Sequence, residues 1–170
     1  FGLAYSPSST HSAFLDYDRD GDLDMYLLVN GDARGDNYTR KGLSDHLFRN
    51  NGNNTFSDVS NEAGINDRGY GLGVSVGDLN DDQWPDLFIT NDFEERDIIY
   101  INNRNGTFTN ATKAVTKHTT EFGMGNDIAD FDNDGHLDIV AVDMLPEDHK
   151  RLLSHMGSQS VYSPLFDSTQ

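Results

Sequence analysis

The chain has 170 residues, which suits a single domain of ordinary size, and its formal net charge at pH 7 is −17. The 12 basic residues are scattered and no apolar run could span a bilayer, so we expect neither nucleic-acid binding nor membrane insertion. There is no Cys, which excludes disulfides and thiolate metal sites, and Asp outnumbers Glu by 24 to 5, which indicates that the charge lies in loops.

The first recurring element along the chain is a nine-residue acidic segment. It reads Asp-x-Asp-x-Asp-Gly-x-x-Asp in 16–24 and 130–138, and segment 78–86 differs in having Asn80 and Gln83 at two of these places. Three copies of one pattern indicate an internal repeat, which sets the architecture of the whole chain. An aromatic residue followed by Gly precedes each copy, at Phe1, Tyr70 and Phe122.

A short apolar run follows each acidic segment. These runs are 4 to 7 residues long and rich in β-branched and aromatic side chains, so each of them predicts a buried strand. The three runs are Leu23–Val29, Leu87–Thr90 and Leu137–Val142.

The first two repeats continue into a predicted β-hairpin. Leu47–Phe56 and Ile99–Phe108 each contain an aromatic residue, a turn rich in Asn and Gly, and a second aromatic residue eight positions on. An Asn-Gly pair between apolar segments favours a type I′ turn, because both residues tolerate a positive φ. Each complete repeat is therefore expected to supply about four short strands.

The repeats divide the chain into four predicted parts. Repeat 1 covers 1–69 with a polar loop insertion at 30–42, repeat 2 covers 70–121, repeat 3 begins in 122–145, and 146–170 holds a short C-terminal helix and irregular chain. Tandem four-stranded units predict an all-β fold made of β-propeller blades. Because propellers close with about four to eight blades and about three fit here, we expect the remaining blades to come from a longer chain or another subunit.

The acidic segments have the composition of calcium-binding loops. Counted from the first Asp, positions 1, 3, 5 and 9 offer side-chain oxygens and position 7 offers its backbone carbonyl, which approaches the roughly six to eight oxygen ligands of Ca²⁺. Gly at position 6 permits the sharp turn, whereas Gln83 must adopt a left-handed conformation or shift its loop, so two to three Ca²⁺ ions are expected. The predicted ligands are Asp16, Asp18, Asp20, Asp22, Asp24, Asp78, Asn80, Asp82, Trp84, Asp86, Asp130, Asp132, Asp134, His136 and Asp138.

Other loop types and other metals fit the pattern less well. An EF-hand needs an acidic residue at position 12, where these loops have Leu27, Ile89 and Ala141. Mg²⁺ prefers octahedral sites that keep several waters, and Zn²⁺ prefers His or Cys ligands. His136 stands where a backbone carbonyl is expected to bind, so its imidazole should stay free.

The repeats resemble the FG-GAP/VCBS repeats of bacterial ASPIC/UnbV-associated proteins. The resemblance covers roughly residues 1 to 145 and rests on the aromatic-Gly pairs, the acidic loops and the phrases 48–60 and 129–140. It implies a calcium-binding propeller like the head of the integrin α-chain, on an extracellular, secreted or cell-surface protein.

These features together predict a non-enzymatic module with structural calcium that recognises an unidentified protein or glycan ligand. The alternative is an accessory domain of a larger secreted enzyme, such as a polysaccharide-degrading one, and a third reading places a site on the axis of the complete propeller. Arg34, Gly35 and Asp36 in the insertion spell a tripeptide that integrins recognise, although a three-residue match is common by chance.

Overall fold

The fold is all-β, and its sheets are antiparallel. The computed structural model describes Leu3 and residues 9–30, 43–92 and 95–144, so the aromatic-Gly pair at Phe1, the body of the 30–42 insertion and the predicted C-terminal helix lie outside the described residues. The elements are β1 (Ser9–Leu15), β2 (Asp24–Val29), β3 (Leu43–Ser44), β4 (His46–Asn50), β5 (Phe56–Asp58), α1 (Ser60–Ala63), β6 (Arg68–Gly69), β7 (Gly71–Gly77), β8 (Asp86–Asn91), β9 (Ile98–Asn102), β10 (Phe108–Asn110), α2 (Thr112–Val115), β11 (Gly123–Ala129) and β12 (Asp138–Asp143).

Each repeat forms its own sheet, which we call a blade. Blade 1 has the strand order β1-β2-β4-β5, blade 2 has the matching order β7-β8-β9-β10, and the described part of blade 3 is the pair β11-β12. In all three blades the acidic segment connects the first strand to the second. The short helices α1 and α2 are four residues each, and no helix in the described ranges has the length or hydropathy to cross a bilayer.

The hairpin turns differ from the predicted type I′ geometry. Five residues separate β4 from β5 and β9 from β10, and the turns are closed by amide-to-carbonyl bonds of 2.9 Å from Asn51 to Thr55 and from Asn103 to Thr107. Positive φ angles fall on alternate residues of each turn rather than on an adjacent Asn-Gly pair, so the type I′ prediction is wrong. These residues are Gly52 (70°) and Asn54 (63°) in blade 1, and Arg104 (62°) and Gly106 (79°) in blade 2.

The main core lies between blades 1 and 2. Large apolar side chains of both sheets are fully buried against one another, which is the principal source of stability for a β-sheet packed face to face. Close approach of the sheets requires glycine at Gly71, because a Cβ there would lie 2.4 Å from a methyl carbon of Leu28. The most buried core residues are Tyr26, Leu28, Leu47, Ile65, Leu87, Ile89 and Tyr100.

The strand after the third acidic segment forms as predicted, but it is not buried. Val140 and Val142 in β12 are 45% and 58% exposed, whereas the corresponding Tyr26 and Leu28 of blade 1 are completely buried. In the part of the chain that the structure describes, β12 pairs with β11 alone, and its other edge has no neighbouring strand. No third strand covers β12 among the described residues, so the sequence pattern overestimated the burial of this strand.

One buried carboxylate in each complete blade holds the third strand in place, and the sequence pattern did not reveal either of them. Asp45 precedes β4 and accepts the Val29 amide at 2.8 Å and the Tyr26 hydroxyl at 2.7 Å. Asp97 precedes β9 and accepts the Asn91 amide at 3.1 Å in the equivalent way. Burial raises the pKa of both carboxyls, that of Asp45 to about 6.

Replacement of Asp45 by Asn should change how stability depends on pH. Because the folded pKa of Asp45 lies above its ordinary value of 3.8, the folded state holds a proton between pH 4 and 6 that the unfolded state has lost, and the associated stability disappears as the pH rises through about 6. In urea unfolding at pH 4.5 and 7.5, Asp45→Asn should reduce the pH-dependent loss of stability by about 2 kcal/mol.

The exposed Asp127→Asn variant is the matched control, and it should follow the parent chain at both pH values. A loss of stability in Asp45→Asn that is equal at both pH values would show that Asp45 acts only through its hydrogen bonds.

Candidate metal sites

The three acidic segments adopt one backbone conformation. We call them loop 1 (16–24), loop 2 (78–86) and loop 3 (130–138). Positions 4 and 6 have a positive φ in every loop, so Gln83 adopts the left-handed conformation and the loop does not shift. The angles at position 4 are 59° (Arg19), 58° (Asp81) and 61° (Asn133), and those at position 6 are 93° (Gly21), 70° (Gln83) and 92° (Gly135).

Backbone amides of each loop hold its carboxylates in place. The carboxylate at position 1 accepts the amide of position 6, the one at position 5 accepts the amide of position 7, and the one at position 9 accepts the amide of position 2. The first of these bonds measures 3.1 Å from Gly21 to Asp16, 2.6 Å from Gln83 to Asp78 and 3.0 Å from Gly135 to Asp130. The last measures 3.2 Å from Tyr17 to Asp24, 2.9 Å from Leu79 to Asp86 and 3.1 Å from Phe131 to Asp138.

Loops 1 and 3 each bring three carboxylates together. In each group, one oxygen per residue lies within 4.8 Å of the others. The position 5 carboxylates, Asp20 and Asp134, are outside these groups and accept the amide of position 7 at 2.9 Å. The structure therefore unites positions 1, 3 and 9 of the predicted sets, which are Asp16, Asp18 and Asp24 in loop 1 and Asp130, Asp132 and Asp138 in loop 3.

Loop 1 contains buried carboxylate oxygens that accept no hydrogen bond. Oδ1 of Asp16 and Oδ1 of Asp18 are buried and have no hydrogen-bond partner. A buried carboxylate oxygen without a donor is costly unless a positive charge compensates it. Burial raises the pKa of Asp18 and raises that of Asp24 to about 6. The donor set, all hard oxygens, fits a calcium ion.

Loop 2 differs from the other two in its charge. Position 3 is Asn80, and within this described loop the carboxylates form no such group of three. Asp82 at position 5 instead forms an ion pair with Arg104, whose Nε lies 2.9 Å from its Oδ2. The side chain of Asp82 is only 6% exposed in this pair.

The position 9 carboxylates also bind the hairpin, through residues that the sequence analysis missed. Oδ1 of Asp24 accepts the Asn50 amide at 2.8 Å, and Oδ1 of Asp86 accepts the Asn102 amide at 2.8 Å. Asn102 additionally donates from its side chain to the carbonyl of Tyr17 in loop 1 at 2.8 Å. The available signal was that Asn50 and Asn102 occupy the same place in the two repeats.

Neighbouring loops contact each other through positions 4 and 7. The guanidinium of Arg19 in loop 1 lies 5.2 Å from the ring centroid of Trp84 in loop 2, within the range of a cation–π contact. Asp81 in loop 2 pairs with the imidazole of His136 in loop 3 at 2.7 Å, and this hydrogen bond raises the pKa of His136. The expectation that the imidazole of His136 stays free was therefore wrong.

Comparison with known proteins places these loops in a described repeat. The model of the FG-GAP-like repeat matches residues 16–89 and again residues 78–141, so each match begins at an acidic loop. Cartilage acidic protein 1 of Mus musculus is 37% identical over 84 residues, and its counterpart in Homo sapiens is 36% identical over the same length. Each alignment covers 49% of this chain and 13% of the relative. The chain belongs to the FG-GAP-like repeat family, and its repeats form propeller-type blades.

Proposed function

We propose that this chain is a calcium-binding module of an extracellular propeller, which recognises a protein or glycan ligand and uses calcium for structure rather than catalysis. The observation that carries the proposal is the set of unpartnered buried oxygens of Asp16 and Asp18, beside Asp24, in loop 1. Loop 3 repeats the same carboxylate group at the same positions. The relatives are named after cartilage, a tissue rich in extracellular matrix, and this name supports an extracellular location.

Calcium suits these loops better than the alternatives. The donors are carboxylate and backbone oxygens, which Ca²⁺ binds in flexible geometry, whereas Mg²⁺ requires a near-ideal octahedron. The group in loop 3 consists of three carboxylates and does not include His136, whereas zinc prefers His or Cys ligands. Extracellular calcium modules bind at about 10⁻⁴ to 10⁻³ M, so the sites would be filled outside the cell.

A bound calcium would neutralise the repulsion between the carboxylates of one loop. It would act on positions 1, 3 and 9, and in loop 1 the position 9 carboxylate is also bonded to the hairpin of the same blade through the Asn50 amide. Calcium would therefore fix the loop, the second strand and the hairpin relative to each other. This role resembles that of a disulfide, which the chain lacks because it has no Cys.

Removal of calcium should lower the thermal stability of the chain. With two sites filled at about ten times their dissociation constants, binding contributes roughly 3 kcal/mol, which corresponds to about 5 to 10 °C in the melting temperature. Calorimetry in excess calcium and in excess chelator checks this value, and magnesium replaces calcium as the control. Identical melting temperatures in calcium and chelator would contradict a stabilising role of calcium.

Substitution of one ligand should remove one ion. Asp132→Ala deletes the position 3 carboxylate of loop 3 and should lower the calcium stoichiometry, measured by equilibrium dialysis, by one. Asp143 lies just outside the loop and accepts the Glu121 amide rather than a loop amide. The variant Asp143→Ala should therefore keep the full calcium stoichiometry. Equal losses in the two variants would show that the acidic loop is not the site.

We further propose that the open edge of β12 is covered by a hairpin of the same type as β4–β5 and β9–β10, which would complete blade 3. Phe88 and Ile99 of blade 2 face Leu137 and Ile139 of blade 3 across an apolar groove of about 650 Å³. In the two complete blades, the equivalent edge is covered by β4 and β9, and the strand that β9 covers, β8, is buried along its whole length. Continuity with the interface of blades 1 and 2 therefore favours a third strand with alternating apolar residues.

A peptide with the sequence of residues 97–112 is the probe for this edge, since it holds the whole β9–β10 hairpin. It should bind the chain and slow hydrogen exchange of the β12 amides, with its Tyr100 opposite Ile139 as Tyr100 lies opposite Leu87 in blade 2. A scrambled peptide should have no effect. Slow exchange of the β12 amides before the peptide is added would show instead that another part of the chain or a second copy covers the edge.

A further inference from the structure

Arg104 occupies an unusual position in the second hairpin. The two hairpin turns have the same length and the same closing bond, and the equivalent place in blade 1 is Gly52. Both residues have a positive φ, 62° for Arg104 and 70° for Gly52, a conformation in which glycine is the natural choice. Blade 2 therefore places a long cationic side chain where the backbone favours glycine, and that side chain reaches the metal loop.

The guanidinium of Arg104 completes the bonding of Asp82. Its Nε contacts Oδ2 of Asp82 at 2.9 Å, while Oδ1 of Asp82 accepts the Trp84 amide at 2.8 Å. Both oxygens of this position 5 carboxylate are thus satisfied by protein donors. Among the described residues, the equivalent carboxylates Asp20 and Asp134 accept a position 7 amide and form no ion pair.

The four positions predicted from the sequence to supply side-chain ligands carry less negative charge in loop 2 than in loops 1 and 3. Positions 1, 3, 5 and 9 are all Asp in loops 1 and 3, which gives a formal charge of −4 in each. Asn80 reduces this charge to −3 in loop 2, and the fixed positive charge of Arg104 reduces it to −2. Because affinity for calcium depends on the number of ligand charges, loop 2 should attract the ion far less strongly.

We infer that Arg104 is a built-in counter-ion of loop 2, which lets this loop keep its conformation without calcium while loops 1 and 3 bind the ion. The inference rests on the proposed calcium-binding function and deepens it by assigning two strong sites instead of three. Loop 2 is expected to bind calcium at least about tenfold more weakly than loops 1 and 3.

Loop 2 becomes separately observable when the other two loops are disabled. The double variant Asp18→Ala/Asp132→Ala removes the position 3 carboxylate of loops 1 and 3, so the calcium binding that it retains in equilibrium dialysis is that of loop 2. The parent chain should bind two calcium ions tightly, and the double variant should bind none at the concentration that fills those two sites.

Removal of the positive charge should convert loop 2 into a calcium site. Arg104→Gly restores the residue of blade 1 at a φ that suits glycine, and Arg104→Gln keeps a long side chain if the glycine variant unfolds. Both should raise the calcium affinity of loop 2 by about tenfold or more and increase the stoichiometry from two to three. Arg104→Lys keeps the charge and should stay close to the parent chain.

The reciprocal variant Gly52→Arg provides a matched control in blade 1. A Cβ at Gly52 would lie 3.0 Å from a carboxylate oxygen of Asp22, the flexible end of a side chain, so an arginine there faces loop 1. This variant should weaken the site of loop 1 and leave that of loop 3 filled, so the number of tightly bound calcium ions should fall from two to one. Tight binding to loop 2 in the parent chain, or an unchanged loop 2 affinity in both Arg104→Gly and Arg104→Gln, would overturn the inference. Absence of any calcium binding in the parent chain would instead overturn the proposed function.

Discussion

The carboxylate at position 9 of the acidic loop connects the parts of each complete blade. Asp24 and Asp86 are completely buried, yet each accepts two backbone amides, one from its own loop and one from the start of the hairpin turn. Two charge-assisted bonds of this kind are what make a buried carboxylate tolerable. The position 9 side chain consequently sets both the loop geometry and the hairpin position. It thereby also sets where the other candidate metal ligands of the loop lie.

The sequence was sufficient to predict the repeated elements because each signal occurred more than once. The three acidic loops, the strands that follow them and the two hairpins were all found from residue types at fixed spacing. Left-handed φ at position 6 was also foreseen for glycine, and Gln83 shows that the loop imposes this conformation even on a residue with a side chain. The type I′ turn was wrong, because a five-residue loop with alternate positive φ angles also uses Asn and Gly.

Contacts between distant segments were the part that the sequence did not reveal. Asp45 and Asp97 looked like ordinary polar residues before a strand, and only the fold brings them to the amides of Val29 and Asn91. Arg104 is 22 residues from Asp82, so no local pattern connects the two. The exposure of β12 was missed for a related reason, since burial of a blade strand depends on its neighbours in space and not on its own composition.

The contacts between neighbouring loops have a direction. Position 4 of loop 1 meets position 7 of loop 2, and position 4 of loop 2 meets position 7 of loop 3, although the chemistry changes from a cation–π contact to a hydrogen bond between a carboxylate and an imidazole. An interface whose two sides differ is heterologous, so it cannot join two blades related by a two-fold axis. Heterologous contacts propagate as an open series or close on themselves as a ring. The contacts between loops therefore run in one direction along the chain, from position 4 of one blade to position 7 of the next. This direction matches the rotational symmetry of a closed propeller.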